Sequence, residues 1–313
     1  MFNSTHTLIG VSLARAGFDR WTPLAVWTAV IASNLPDIDI LTEFHSTASY
    51  IAYHRGITHT FVGVTFLSLL LAGVMHQISG RFRRHFVIAW VSMILHPMLD
   101  YLNTYGLRPF LPWSSNWAYG DVLFVIDPYL DVILLAGILL GVWSGKKRSL
   151  AGAGMLLVVA YVGAQFEFRN MAREKLAAFT LNVANVERSA VSPEPLSPFT
   201  RIGFVETPDA ISMVEIDVFQ GVGRQLARLP KARRTPMLIA AEKTRTGSIF
   251  MDFARFPVAR VFSGPEGHLV QLIDMRFYRS RDEAAFAAEI RLDRSLKVVS
   301  EDMGFNISLN TLP

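Results

Sequence analysis

Apolar residues gather in long runs up to about residue 166 and in short, partly alternating runs after about residue 200, which predicts two kinds of structure in one chain. Residues 5–17 and 23–35 predict two short helices. Thr5 is placed to cap the first, Gly17 to end it, and Pro23 stands at a favourable first position of the second. Each is roughly 20 Å long at 1.5 Å per residue, short for a hydrocarbon core of about 30 Å. They therefore predict a helical hairpin partly sunk in a membrane. Residues 57–79 are long enough to span, and 86–99, 129–144 and 150–166 are further apolar runs. Residues 100–128 form a long aromatic and polar loop, whose Trp113, Trp117 and Tyr119 suit a membrane interface.

After residue 166 the pattern changes. Residues 167–187 are charged and helix-prone, a connector, and Pro193, Pro195 and Pro198 mark a linker. Residues 211–219, 248–253, 268–277 and 289–299 have strand-like composition, and 282–289 alone looks helical. The predicted fold is an α-helical polytopic membrane domain (1–166), a connector and linker (167–200), and a small β-rich, α+β soluble domain (201–313).

Composition supports the membrane reading. The chain has 313 residues, 51% of them hydrophobic, and a mean hydropathy of +0.32, high for a soluble protein. Its net charge of +4 could indicate nucleic acid. Much of it, however, sits in short loops beside apolar runs: Arg15 and Arg20; Arg81, Arg83 and Arg84; Lys146, Lys147 and Arg148. Positive loops stay cytoplasmic. If successive helices alternate in direction, the other face receives the start of the first helix, the 36–56 and 100–128 loops and everything after residue 166. That face is predicted to be periplasmic. The expected partners are membrane lipid and a small-molecule or lipid substrate, with no nucleic acid. The first residues lack the basic start of a signal peptide, and Arg15 and Asp19 follow too soon. With no cysteine, disulfides and thiolate ligands are excluded.

Candidate chemistry concentrates between Asn34 and His59, where Asp37, Asp39, His45, His54, Arg55 and His59 lie between two apolar runs. Such residues beside a membrane segment are costly unless they pair, face water or bind an ion. On the predicted topology His6, Asp37, Asp39, His54, His59, His96 and Asp100 all reach one face, whereas His76 and His85 fall at the other. His96 and Asp100, spaced i, i+4, share one helix face. Asp37 and Asp39 need a turn to act together, because in an extended segment they would point oppositely. A His/carboxylate set suits Zn, Mn or Fe(II) better than Ca. Two adjacent ions bridged by a carboxylate could activate a water, and Arg55 could hold a phosphate oxygen. Simpler readings exist: Asp37 as a cap after Pro36, Arg55 on lipid headgroups, and Asn103 and Gly106 as turn residues. Asp127 and Asp131 border the same face as interfacial or supporting residues, and His45 reads as solvated.

Thr-His-Thr-Leu-Ile-Gly at 5–10, Leu-Pro-Asp-Ile-Asp at 35–39, His-Arg-Gly-Ile-Thr-His at 54–59 and His-Pro-Met-Leu-Asp at 96–100, with Asn103, Thr104 and Gly106, follow in a distinctive order. This order resembles the bacterial membrane-bound metal-dependent hydrolases, also described as LexA-binding, inner-membrane-associated hydrolases. More remotely it is similar to the zinc phospholipase C fold and related single-strand nucleases. The resemblance covers roughly residues 5–106. Phe253-Ala-Arg-Phe-Pro-Val and Leu272-Ile-Asp-Met-Arg-Phe-Tyr look like the tail of longer members. It implies a multi-pass inner-membrane hydrolase that uses a divalent metal, zinc first and manganese or iron as alternatives, on a phosphoester or lipid-derived substrate. The implied metal set is His6, Asp37, Asp39, His54, His59, His96 and Asp100. Chemistry then assigns one of Asp37 and Asp39 to ligate or bridge and the other to act as general base, with Asp39 taken as the catalytic residue, and Arg55 to stabilise developing negative charge. One competing reading is a non-catalytic, metal-stabilised scaffold presenting a periplasmic binding domain. Another is a transporter, disfavoured because the polar residues sit at helix ends and not at mid-membrane depth.

Overall fold

The computed structural model describes residues 1–280 and 283–309. Its first part is helical: α1 (Asn3–Ala16), α2 (Ala25–Asn34), α3 (Thr47–Tyr53), α4 (Phe61–Ser79), α5 (Phe82–Tyr101), α6 (Pro128–Trp143) and α7 (Lys147–Thr180). Helices α1 and α2 cross closely at Gly10, where a Cβ would stand 2.7 Å from Ser33 Oγ and 2.9 Å from Ala29 O. Any side chain there would push the pair apart. Gly137 plays the same part between α6 and α7, with Leu150 O 2.9 Å from its would-be Cβ. Small residues at such crossings are how membrane helices gain close packing. Among the described residues, α4 and α7 are long and apolar enough to cross a membrane, while α6 is apolar but shorter.

Helix α7 is longer than the expected 150–166 run. At 1.5 Å per residue its 34 residues reach about 51 Å, well beyond a bilayer core. Its distal turns bury Ala172 and Leu176 against Val191, Val205, Val214, Ile216 and Val218 of the following sheet. The stretch expected as connector and linker is therefore the end of this helix plus two strands, β1 (Arg188–Glu194) and β2 (Ser197–Glu206). The prolines do not interrupt a sheet interior. Pro193 lies beside a register shift in an edge strand, Pro195 stands in the turn, and Pro198 lies at the start of β2, all positions that tolerate a missing donor.

β3 (Ala210–Asp217) and β4 (Gly221–Pro230) complete an antiparallel sheet of order β1-β2-β3-β4. A second antiparallel sheet follows: β5 (Pro257–Gly264), β6 (Gly267–Asp274), β7 (Glu283–Leu292) and β8 (Val298–Ser308). Helices α8 (Pro236–Glu242) and α9 (Arg245–Phe253) pack on it through Leu238, Ala241, Phe250 and Phe253. A helical region thus precedes a β-rich C-terminal part that ends in an α/β plait.

Two expectations reverse here. Residues 248–253 were expected as a strand but belong to α9, capped by the Thr244 hydroxyl, which accepts from the Gly247 N–H, with Phe250 and Phe253 on the buried face. Residues 282–289 were expected as a helix. Asp282 lies outside the described residues, and from Glu283 onward the segment is β7, paired with both β6 and β8. Its alanines and Phe286 are buried between those neighbours, so tertiary pairing overrides helix propensity.

The two parts are joined by polar clasps. Arg201 is fully buried and donates to Val122 O (2.8 Å) and Gln165 O (3.3 Å). Arg276, held on Asp274 at 2.7 Å, donates to Thr104 O (2.7 Å), and Arg255 grips Asp121 at 2.8 Å.

Candidate metal centre

Pro36 opens a 3-10 stretch, Leu35–Phe44, which supplies the turn that Asp37 and Asp39 need to act on neighbouring points. Ser46 then caps α3 by accepting the Ser49 N–H. The helix ends at His54, Arg55 adopts a left-handed φ of 54°, and a short 3-10 turn (Ile57–His59) delivers His59. α5 brings His96 and Asp100 on its last turns, with Pro97 between them.

Four atoms converge. His59 Nε2 and His96 Nε2 are 3.1 Å apart, and Asp37 Oδ1 lies 3.4 Å from each. Asp100 Oδ2 is 3.5 Å from each. A tetrahedral ion with bonds of about 2.0–2.1 Å has ligand–ligand edges of about 3.3–3.4 Å. The cluster has that size.

The proton positions argue for a cation. His96 Nδ1–H donates to Ser33 O at 2.6 Å. The Thr58 hydroxyl donates to Asp39 Oδ2 at 3.1 Å, which leaves its oxygen to accept from His59 Nδ1–H at 3.0 Å. With Nδ1 the protonated nitrogen in each ring, both Nε2 atoms carry lone pairs and face each other. Burial pushes the pKa of His59 down to about 3, so it stays neutral at physiological pH. Asp100 Oδ2 is buried with no well-aligned hydrogen bond, and Arg55 Nε stands 3.1 Å from it. Arg55 and the Met1 amine offset the charge of Asp100 from outside the cluster, but the two imidazole lone pairs and Asp37 Oδ1 still face one another, an arrangement that a positive ion among them stabilises. This buried Asp/His cluster can hold a metal ion.

Asp39 stands behind the cage. It accepts from His54 Nδ1 (2.9 Å), the Arg55 N–H (3.0 Å) and Thr58. Burial raises its pKa, but the His54 hydrogen bond and the charge interactions with His54 and His59 together outweigh this and hold it below the usual carboxylate range. Such a carboxylate fixes the tautomer and aim of ligating histidines. Asp37, Asp39 and His54 also form a second, three-residue group that shares Asp37 with the first. Arg55 is buried; its Nη2 donates to Asp100 Oδ1 and its Nη1 to Asn103 Oδ1, at 3.1 and 3.0 Å. His6 stacks on His96 with centroids 3.7 Å apart, and its Nε2 lies 3.5 Å from Asp100 Oδ1. It lies beside the four-atom cage and is not part of it, and both its ring nitrogens lack hydrogen-bond partners.

All seven metal candidates thus lie together, in three positions: the cage, the carboxylate layer behind it and the stacked His6. His45 and His76 are exposed. His85 is buried and bonded to Thr28 and Ser79, away from the cage. Asp127 caps α6 and accepts from Tyr161, and Asp131 accepts from Thr5. Thr58, the Ser33 carbonyl and the Met1 amine, which bonds Asp100 Oδ1, were not foreseen. Thr58 had a signal, its place between Arg55 and His59 in one motif. A carbonyl leaves none.

One cavity, about 310 Å³, opens on this centre. Asp37, His54 and Arg55 line one end, and Phe2, Ile40, Ile51, Tyr105, Phe253 and Phe305 are among its apolar walls. Asp37, with 13% of its side chain exposed, is the most open member of the cage.

Residues 236–312 match the YfhP C-terminal alpha/beta plait domain. An uncharacterized protein, YfhP of Bacillus subtilis (strain 168), is 25% identical over 328 residues, covering 98% of this chain and 96% of that protein. No solved structure matches. Residues 1–172, which hold every member of the cage, match the YdjM inner membrane protein model. With that match spanning more than half of its length, the chain belongs to the YdjM inner membrane protein family.

Proposed function

We propose that the protein is a multi-pass inner-membrane hydrolase that uses divalent metal, zinc first, to cleave a phosphoester. The observation that carries this reading is the sharing of Asp37 between a closed four-ligand cage and a three-ligand group beside the cavity. Structural metal sites are closed, whereas catalytic ones keep a position open. The inner cage suits the first role and the Asp37–Asp39–His54 group the second. A bound divalent pair supplies a nucleophilic water at neutral pH and a Lewis acid for the phosphoryl oxygen.

The chain's own residues do the rest. Asp37 ties the two positions together. Asp39 aims His54 and, through Thr58, His59. Arg55 holds Asp100 in place and presents positive charge to the cavity. The cage lies at the opposite ends of α1, α4 and α5 from the basic clusters around Arg15, Arg81 and Lys146, which favours a periplasmic site. A reporter fused at Phe110 should be active only outside the cytoplasm; cytoplasmic activity would refute that orientation.

The four-ligand closure of the inner cage also favours a second reading, a metal-stabilised scaffold presenting its C-terminal part. Elemental analysis of detergent-purified protein separates the two. Bound metal lost in Asp100→Ala, with turnover on a phosphodiester or phospholipid panel lost in His54→Ala, supports the hydrolase. Metal without turnover supports the scaffold, and no metal in the wild type removes both.

A further inference from the structure

The cavity beside the cage is built from both parts of the chain. The helical part contributes Phe2, Ile40, Ile51 and Tyr105, and the plait contributes Phe253 from α9 and Phe305 from β8. Its charged and titratable lining is the Met1 amine, Asp37, His54 and Arg55, with Tyr50, Tyr105 and Trp117 adding polar tips among otherwise apolar residues. Its volume, about 310 Å³, lies at the small end of ligand pockets, which run from about 300 to 1,000 Å³. That is room for one apolar chain, not for a whole lipid.

The rim is apolar as well. Phe2, Ile40, Ile126 and Phe305 are 54%, 48%, 47% and 50% exposed. Ile38, Leu41 and Phe44 continue this surface along the 3-10 stretch that carries Asp37 and Asp39. An apolar mouth of this kind is unfavourable in water and favourable against hydrocarbon. Its depth agrees: His59 of the cage lies two residues before the first residue of α4, the membrane-length helix. Trp113 and Phe110, both exposed, add aromatic residues of the kind found at the headgroup level.

We propose that this cavity takes one apolar chain of a membrane phospholipid, admitted sideways from the leaflet past Ile40 and Phe305, with the phosphoester at Asp37 and His54. This identifies the substrate class for the hydrolase reading and rests on it. It also gives the plait a role: Phe305 and Phe253 form the wall that selects the chain.

Photolabelling tests this without requiring turnover. The full-length protein is placed in nanodiscs containing a phosphatidylglycerol with a diazirine at the end of one acyl chain, and crosslinks are mapped by mass spectrometry. Labels are expected on the peptides bearing Ile40, Ile51 and Phe305, in addition to the lipid-facing sides of α4 and α7. Phe305→Asp and Ile40→Asp, at exposed positions where folding tolerates them, should each lower cavity labelling at least five-fold while leaving the α4 and α7 labels as an internal control. Labels confined to α4 and α7 would overturn the proposal. So would equal cavity labelling by a soluble short-chain diazirine phosphoester added outside the bilayer, which would mean the ligand comes from solution. Cavity labelling with no turnover on any ester would retain the lipid site and remove hydrolysis alone.

Discussion

Thr58 and Asp39 bind no ion in the inner cage, yet they decide which nitrogen of His59 faces it. Asp39→Asn keeps the shape but weakens the acceptor that orders Thr58 and His54, and metal affinity should fall about 10–100-fold, read by competition with a chromogenic chelator. Thr58→Val should act in the same direction through His59 alone. The depressed pKa of His59 has a sign that can be measured. Unfolded, this histidine takes a proton near its ordinary value of 6.5, whereas folded it resists down to about 3. Across that window the unfolded chain binds more protons, so the metal-free protein should lose stability as pH falls from 7 toward 4. Thermal melts should show a shallower slope for His59→Gln. The seven metal candidates and Arg55 are visible in the sequence because His, Asp and Arg are rare beside apolar runs. Ser33 was not, because its contribution is a carbonyl that every residue carries.

At the level of elements, the close crossing at Gly10 holds α1 against α2, and through it His6 against His96. Gly10→Leu should force the pair apart and lower the melting temperature, with loss of bound metal at a gentler temperature than in the wild type; calorimetry with metal analysis checks this. Helix periodicity located α1, α2, α4, α5 and α6 to within a few residues because long apolar runs leave little choice. The C-terminal part was harder. Ala-rich β7 reads as helix, and Phe-rich α9 reads as strand. Both are settled by neighbours far away in sequence: β6 and β8 on either side of β7, and the sheet surface beneath α9. The 3-10 course of Leu35–Phe44 likewise depends on His54 and Thr58 holding Asp39.

Across the whole molecule, the membrane part and the plait meet through buried ions. Asp274 and Arg276 are both almost fully buried, and Arg276 also reaches the backbone at Thr104, one residue from Asn103 and its bond to Arg55. Arg276→Ala leaves Asp274 short of its partner and should cost about 3–5 kcal/mol, measured by denaturant unfolding. It should also loosen the wall that Phe253 gives the cavity, because Arg276 donates to Phe253 O at 2.9 Å. No local pattern announced this clasp, since its partners lie far apart in the chain.

The clasps also settle a question of parity. Arg245 donates to Ser49, Arg276 to Thr104 O and Arg201 to Val122 O, so residues 49, 104 and 122 all touch the C-terminal part directly. A chain held this way stands on one side of a bilayer at each of those points. Whatever it threads between them, it threads out and back. If α4 crosses, α5 must return, and α6 and α7 are bound by the same rule. The number of crossings between Ser49 and Arg201 is then even, and if both helix pairs span, a design that deletes a single helix from either pair would strand one end of a hydrogen bond across the membrane.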